Sequence, residues 1–136
     1  SQRAKGKEYT GTGTNLWMVS AAVYMALMGP KGFEEIGETI LYNSNYAARK
    51  LSAIPGVKLV FDTPFFQEFA VNFDATGKTV AEINKELLPY EIFGGFDLSC
   101  NFPQFGQSAL FCVTEVTGKS EVDKLVSALE NILANK

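Results

Sequence analysis

Between positions 15 and 28 the chain reads NLWMVSAAVYMALM, with apolar residues at nearly every turn of a helix. A helix that is hydrophobic all round has to be buried all round. A chain of 136 residues has little interior to offer such an element, since a domain of that size hides only roughly 65–70% of its unfolded surface. The reading that follows is one domain over 1–136, cut from or belonging to something longer, whose first helix packs partly against protein outside this stretch. The start at Ser1 rather than Met fits processing or excision equally. Residues 1–14, polar and rich in Gly and Thr, are expected to form a flexible lead-in.

Farther along, Gly29-Pro30-Lys31-Gly32 predicts a break. A second helix should follow, with Phe33, Ile36, Ile40, Ala47 and Leu51 on one stripe and Arg49 and Lys50 complementing the dipole at its end. Pro55-Gly56 stops it, and alternation over 57–61 and again over 67–73 predicts two half-buried strands. In the second strand Phe69, Val71 and Phe73 share one face, and Glu68, Ala70 and Asn72 the other. Thr79 followed by Glu82 reads as a capping box for a helix running to about Leu88. Residues 89–108 look irregular, 109–115 read as a third strand, and Ser120 is placed to cap a last helix with Val122, Leu125, Val126, Leu129, Ile132 and Leu133 on its apolar stripe. Helix, helix, strand, strand, helix, strand, helix is the order of an α+β layer, a small sheet covered on one face by helices.

Composition removes several function classes. The net charge is −3, from 12 basic and 15 acidic residues, which provides no broad positive field for nucleic acid or anionic lipid. No apolar run approaches the ~18 residues that cross a bilayer. The opening Ser1-Gln2-Arg3-Ala4-Lys5-Gly6-Lys7-Glu8 has no signal-peptide core, so a soluble, cytoplasmic protein is expected. There is no His, and Cys100 and Cys112 match neither a CxxC pair nor a zinc framework. Metal binding and self-contained hydrolysis by a nucleophile with a His base are therefore not expected.

Two loops can carry binding. Gly11-Thr12-Gly13-Thr14 precedes a helix, whose free N–H groups and positive dipole end favour a phosphate or carboxylate; a plain helix cap needs the same residues, and pattern alone favours the cap. Gly94-Gly95-Phe96-Asp97 allows close backbone approach to a ligand or a neighbouring chain, and a tight turn uses the same glycines. The carboxylates Glu34, Glu35 and Glu115 suit helix-end solvation better than acid–base work, and Lys7 and Lys78 lie in no apolar stretch that would depress an amine pKa. Phenylalanines crowd the second half, and those between 93 and 105 exceed what one small core needs, so some can face a partner.

Taken together, Thr12-Gly13-Thr14-Asn15-Leu16-Trp17, the Ala21 to Gly32 run, Ile54-Pro55-Gly56-Val57, Phe65-Phe66-Gln67-Glu68-Phe69, Ile92-Phe93-Gly94-Gly95-Phe96-Asp97-Leu98 and Cys112-Val113-Thr114-Glu115 resemble the glycine decarboxylase P-protein family. They are similar, more narrowly, to subunit 1 of its split, two-subunit bacterial form, over about residues 9–134. The resemblance implies the C-terminal small domain of an aspartate-aminotransferase-type (fold type I) pyridoxal phosphate (PLP) enzyme of the glycine cleavage system. Such an enzyme decarboxylates glycine on PLP and passes the aminomethyl group to the lipoyl arm of the H-protein. By the same resemblance subunit 2 carries the PLP lysine, so this chain holds no catalytic residue, binds no cofactor alone and is inactive by itself. Thr12, Gly13 and Thr14 are then candidates for cofactor binding, and Gly94, Gly95 and Asp97 for substrate binding. The implied partners are the large domain, subunit 2 and the H-protein.

Two departures bear on this. Nothing here resembles the family's His-Lys cofactor motif, and Arg3 and Arg49 are the only arginines, with none between Leu110 and Glu115 where aminotransferases of this fold place a carboxylate-binding Arg. The alternatives are the small domain of another fold type I PLP enzyme, or a non-catalytic module that binds a small regulatory molecule.

Overall fold

The computed structural model describes residues 14–134, with Thr14 described by its backbone alone. The expected lead-in, including Thr12 and Gly13, lies outside the described residues. Contacts divide the chain into two compact units, Ser1–Glu35 and Ile36–Lys136.

In the first unit, helix α1 (Thr14–Ser52, continuing into the second) is interrupted at Gly29, where φ is 61° and ψ is 178°. The positive φ suits Gly, and the extended ψ is what a following Pro30 imposes on the residue before it. The predicted break is there, as a kink inside one long element. Tyr24 and Phe33 meet edge-to-face with ring centroids 5.8 Å apart. The apolar run is not enclosed: Trp17 is 76% and Leu27 81% exposed, and Leu16, Val19, Val23 and Tyr24 are exposed as well. Phe33, assigned by its spacing to the buried stripe, is exposed too.

The second unit holds a four-stranded antiparallel sheet of order β1-β2-β4-β3. Its strands are β1 (Lys58–Leu59), β2 (Glu68–Asn72), β3 (Phe96–Asp97) and β4 (Ser108–Cys112). The central pair sets Phe69 opposite Phe111 and Val71 opposite Ala109 on one face, and Ala70 opposite Leu110 and Asn72 opposite Ser108 on the other. Phe69, Val71 and Ala109 enter a core with Ala47 and Leu51 of α1, Val80, Ile83 and Leu87 of α2 (Val80–Leu87), and Val122, Val126, Leu129 and Ile132 of α3 (Lys119–Ala134). The expected α+β layer, one face of a small sheet covered by helices, is the observed architecture.

Several details differ from expectation. Strand β1 has two residues, not five; only the Val60 N–H to Ala70 carbonyl bond (2.9 Å) prolongs the pairing. Strand β4 starts at Ser108 and ends at Cys112, because Thr114 turns back through a 3.1 Å bond from the Thr117 N–H. The region 89–108 contains β3 and two short 3₁₀ turns. Ser120 is not the cap of α3: it lies inside the helix and donates to Glu121 Oε2 at 2.8 Å. The first turn is closed instead by the Gly118 carbonyl, which accepts from the Val122 N–H at 3.2 Å. Thr79 and Glu82 form both arms of the predicted capping box. No helix among the described residues is long and apolar enough to cross a membrane.

Candidate functional site

The second unit holds an apolar cleft of about 570 Å³. Phe69 and Phe111, Val122 and Leu125 of α3, and the 92–95 segment line it. Phe93 stands at its edge, 92% exposed. The polar residues along it are Glu91, Thr117, Glu121 and Lys124. Glu121 is held below the ordinary carboxylate range, first by the Ser120 hydroxyl and then by its own backbone N–H. Such a surface can seat an apolar group beside charged side chains, but no nucleophile in it is paired with a base.

Gly94 and Gly95 line this cleft, as the sequence suggested for a binding wall. Their lack of a side chain is also demanded from within the chain. A Cβ on Gly94 would overlap the Asn84 amide, and one on Gly95 would lie 2.8 Å from the Phe111 ring and 2.9 Å from the Ala109 methyl. The Gly95 carbonyl is tied to α2 by the Asn84 amide at 2.9 Å. Asp97 sits on β3 opposite Ala109, and its Oδ1 accepts from the Ser99 N–H at 2.8 Å, the local turn that Asp commonly makes. It is not part of the cleft lining. Thr12 and Gly13 lie outside the described residues, as does Lys7, and Thr14 opens α1. Lys78 is paired with Glu86 at 2.7 Å, and Glu34, Glu35 and Glu115 are exposed.

A polar network on the opposite face of the sheet was not anticipated. Asn72 Nδ2 donates to Asp74 Oδ2 (2.8 Å), the Phe105 carbonyl (2.8 Å) and Ser108 Oγ (3.1 Å), while Asp74 Oδ1 accepts from the Gln107 N–H at 2.8 Å. Gln107 then uses its side-chain oxygen to accept from Val80 at the start of α2, 3.0 Å away. Asp74 is held below its ordinary pKa by the Gln107 N–H first and the Asn72 amide second. Gly106, at φ 64°, lies where a Cβ would strike the Asp74 carboxylate. The network staples the 103–107 loop to the sheet, and its groups are bonded to one another. The sequence signal was faint: a lone Asn on the outward face of a strand.

Between α1 and α3, Tyr46 donates to Asp123 (2.8 Å), which also pairs with Lys50 (3.1 Å). This raises the Lys50 pKa and lowers that of Asp123. Both cysteines are free and exposed, and among the described residues no group of three His, Cys, Asp or Glu could hold a metal ion.

No family model matches the chain. It is 39% identical over 132 residues to the probable glycine dehydrogenase (decarboxylating) subunit 1 of Pyrococcus horikoshii, covering 97% of this chain and 28% of that protein. The probable subunit 1 of Moorella thermoacetica is 40% identical over 119 residues, 88% of this chain and 26% of the relative. Among solved structures, glycine decarboxylase (P-protein) of the glycine cleavage system, in inhibitor-bound form, matches with a TM-score of 0.78 at 26% identity, over 96% of this chain and 29% of that one. A sphingosine-1-phosphate lyase of Burkholderia pseudomallei shares the fold, with a TM-score of 0.64 at 16% identity over 80% of this chain. The chain is thus homologous over nearly its whole length to little more than a quarter of a glycine dehydrogenase (decarboxylating) subunit 1, and the resemblance carried by its motifs is borne out.

Proposed function

We propose, from this homology to subunit 1 of glycine dehydrogenase (decarboxylating), that the chain is the C-terminal small domain of such a subunit. In this reading it works in the cytoplasm as part of the glycine cleavage system and is inactive alone. The intact enzyme would decarboxylate glycine and deliver the aminomethyl group to the lipoyl H-protein, with the large domain and subunit 2 as its other partners. The observation that carries the reading is 39% identity over 97% of the chain.

PLP, when bound, supplies the electron sink for breaking the carboxylate bond of glycine. A lysine that holds it covalently should be desolvated. The described lysines do not fit that part: none is buried, Lys78 and Lys50 are committed to Glu86 and Asp123, and Lys119 lies over Tyr42. No catalytic step is routed through the described lysines, and in this reading the attachment point lies in subunit 2. What the chain contributes is shape and backbone. Thr12, Gly13 and Thr14 are assigned to cofactor binding through the anion-favouring start of α1. Gly94, Gly95 and Asp97 are assigned to the substrate side, supported by the two glycine backbones that line the cleft.

Adding PLP to the chain should produce no absorbance band of a lysine-linked cofactor. A stoichiometric band that borohydride fixes to one lysine would overturn the assignment.

A further inference from the structure

An antiparallel sheet covered on one side ordinarily alternates along each strand, apolar toward the cover and polar toward water. In the second unit that alternation fails on the face turned away from the helices. Phe96, Leu110 and Ala70 are successive partners across β3, β4 and β2, so they form one apolar row on that outer face. The Asn72 network pins the 103–107 loop over one end of it, where Phe61 and Phe102 pack against Phe105 with ring centroids 5.2 and 6.0 Å away. The rest of the face is open. Phe96 is 64% exposed, and Phe61, Phe102 and Cys112 are exposed as well. The exposed charges Lys58 and Glu68 stand at the margins, on the edge strand β1 and at the first position of β2. An apolar centre inside a charged rim is the make-up of a protein interface.

We propose that this outer face of the sheet is a docking surface for an apolar layer belonging to the part of the glycine dehydrogenase subunit that lies outside this chain. The inference rests on the assignment made above. A sheet that is apolar on both faces belongs in the middle of a layered domain, not on its outside. The chain spans 28% of its relative's length, so most of the subunit remains to supply the second cover. Residues 1–13 do not have the composition for it, since Ala4 and Tyr9 are the only apolar residues among them besides glycine. A second copy of the chain would meet the face only at its own free concentration, whereas a tethered segment meets it at a far higher effective one.

The test is the reactivity of a thiol placed on that face. Phe96→Cys is made in the 136-residue chain and in a whole subunit 1 of Pyrococcus horikoshii whose matching stretch is replaced by this chain. Labelling by a maleimide is followed by mass spectrometry of the peptide that contains position 96. The introduced thiol should label at least tenfold more slowly in the whole subunit than in the chain alone. Cys112, exposed on the same face, should show the same contrast without any substitution, should the variant fail to fold. Equal rates in both contexts would overturn the proposal. So would slow labelling of the chain alone that deepens as its concentration rises, because copies of the chain would then be the cover. Glycine decarboxylation by the unsubstituted chimera judges the assignment separately. An active chimera with an unprotected thiol overturns the docking surface alone, and a folded chimera without activity overturns the assignment and the docking surface with it.

Discussion

Asn84 donates a 2.9 Å hydrogen bond to the carbonyl of Gly95, tying helix α2 to the turn that precedes β3. The bond fixes the turn so close to β4 that a methyl group on Gly95 would press on the Phe111 ring, the Ala109 methyl and the Leu110 carbonyl, all within 3.0 Å. Backbone cannot yield as a side-chain tip can. Gly95→Ala should therefore cost about 1–3 kcal/mol, the usual range for overpacking. Thermal denaturation of the chain checks this, and an unshifted midpoint would show that the turn can move away.

The Asn72 network yields a second stability prediction. Replacing Asn72 by Leu removes the donor to Asp74, the Phe105 carbonyl and Ser108 at once. Leaving such groups short of a partner costs about 1–3 kcal/mol. The urea midpoint should fall with little change in slope.

The same network sets the response to acid. Asp74, with an ordinary pKa near 3.8, is held lower in the folded chain by the Gln107 N–H and the Asn72 amide. The unfolded chain then takes up the proton first as pH falls, so this contribution is present above the unfolded value and is lost as pH drops through the folded one. Glu82, Asp123 and Glu121 are shifted in the same direction. Stability should decline from about pH 4 downward. Asp74→Asn should make that decline shallower, as read from urea midpoints at stepped pH.

Exposure of the first part of α1 predicts association. Leu16, Trp17, Val19, Val23, Tyr24 and Leu27 are all exposed. Burying four such side chains is worth about 6–10 kcal/mol. The chain should self-associate or bind a hydrophobic dye, and Trp17→Ser with Leu27→Ser should reduce both. A clean monomer in analytical ultracentrifugation, with Trp17 shielded from quencher, would contradict this.

Much of the fold was legible where its causes are local. Thr79 and Glu82 lie three residues apart and cap α2 as read, and the apolar stripe of α3 buries Val122, Val126, Leu129 and Ile132. What escaped depends on residues distant in sequence. Strand β3 is two residues long and exists because Phe96 and Asp97 pair with Leu110 and Ala109. Strand β2 was expected to be polar on one face, yet Ala70 and Asn72 are buried there, Asn72 by a loop some thirty residues away. For the site, the glycines at 94 and 95 were visible as a pair, but their neighbours Asn84 and Phe111 were not.

The Thr12-Gly13-Thr14 stretch supports a prediction in the whole enzyme. Gly13→Val, in a subunit 1 that carries this chain, should obstruct close approach and lower glycine turnover tenfold or more, equivalent to about 1.4 kcal/mol. Folding of the domain should be nearly unchanged. Wild-type turnover would reduce Thr12, Gly13 and Thr14 to a helix cap.

The central claim is that this chain can serve as part of a glycine dehydrogenase subunit 1. Its most direct test is glycine decarboxylation by the Pyrococcus horikoshii enzyme, reconstituted with subunit 2, PLP and lipoyl H-protein, after this chain has replaced the matching stretch of subunit 1. The account predicts release of the glycine carboxylate as CO₂ at a rate within about tenfold of the unmodified enzyme, a barrier change of up to ~1.4 kcal/mol. A correctly folded and assembled chimera that releases no CO₂ from glycine would contradict it.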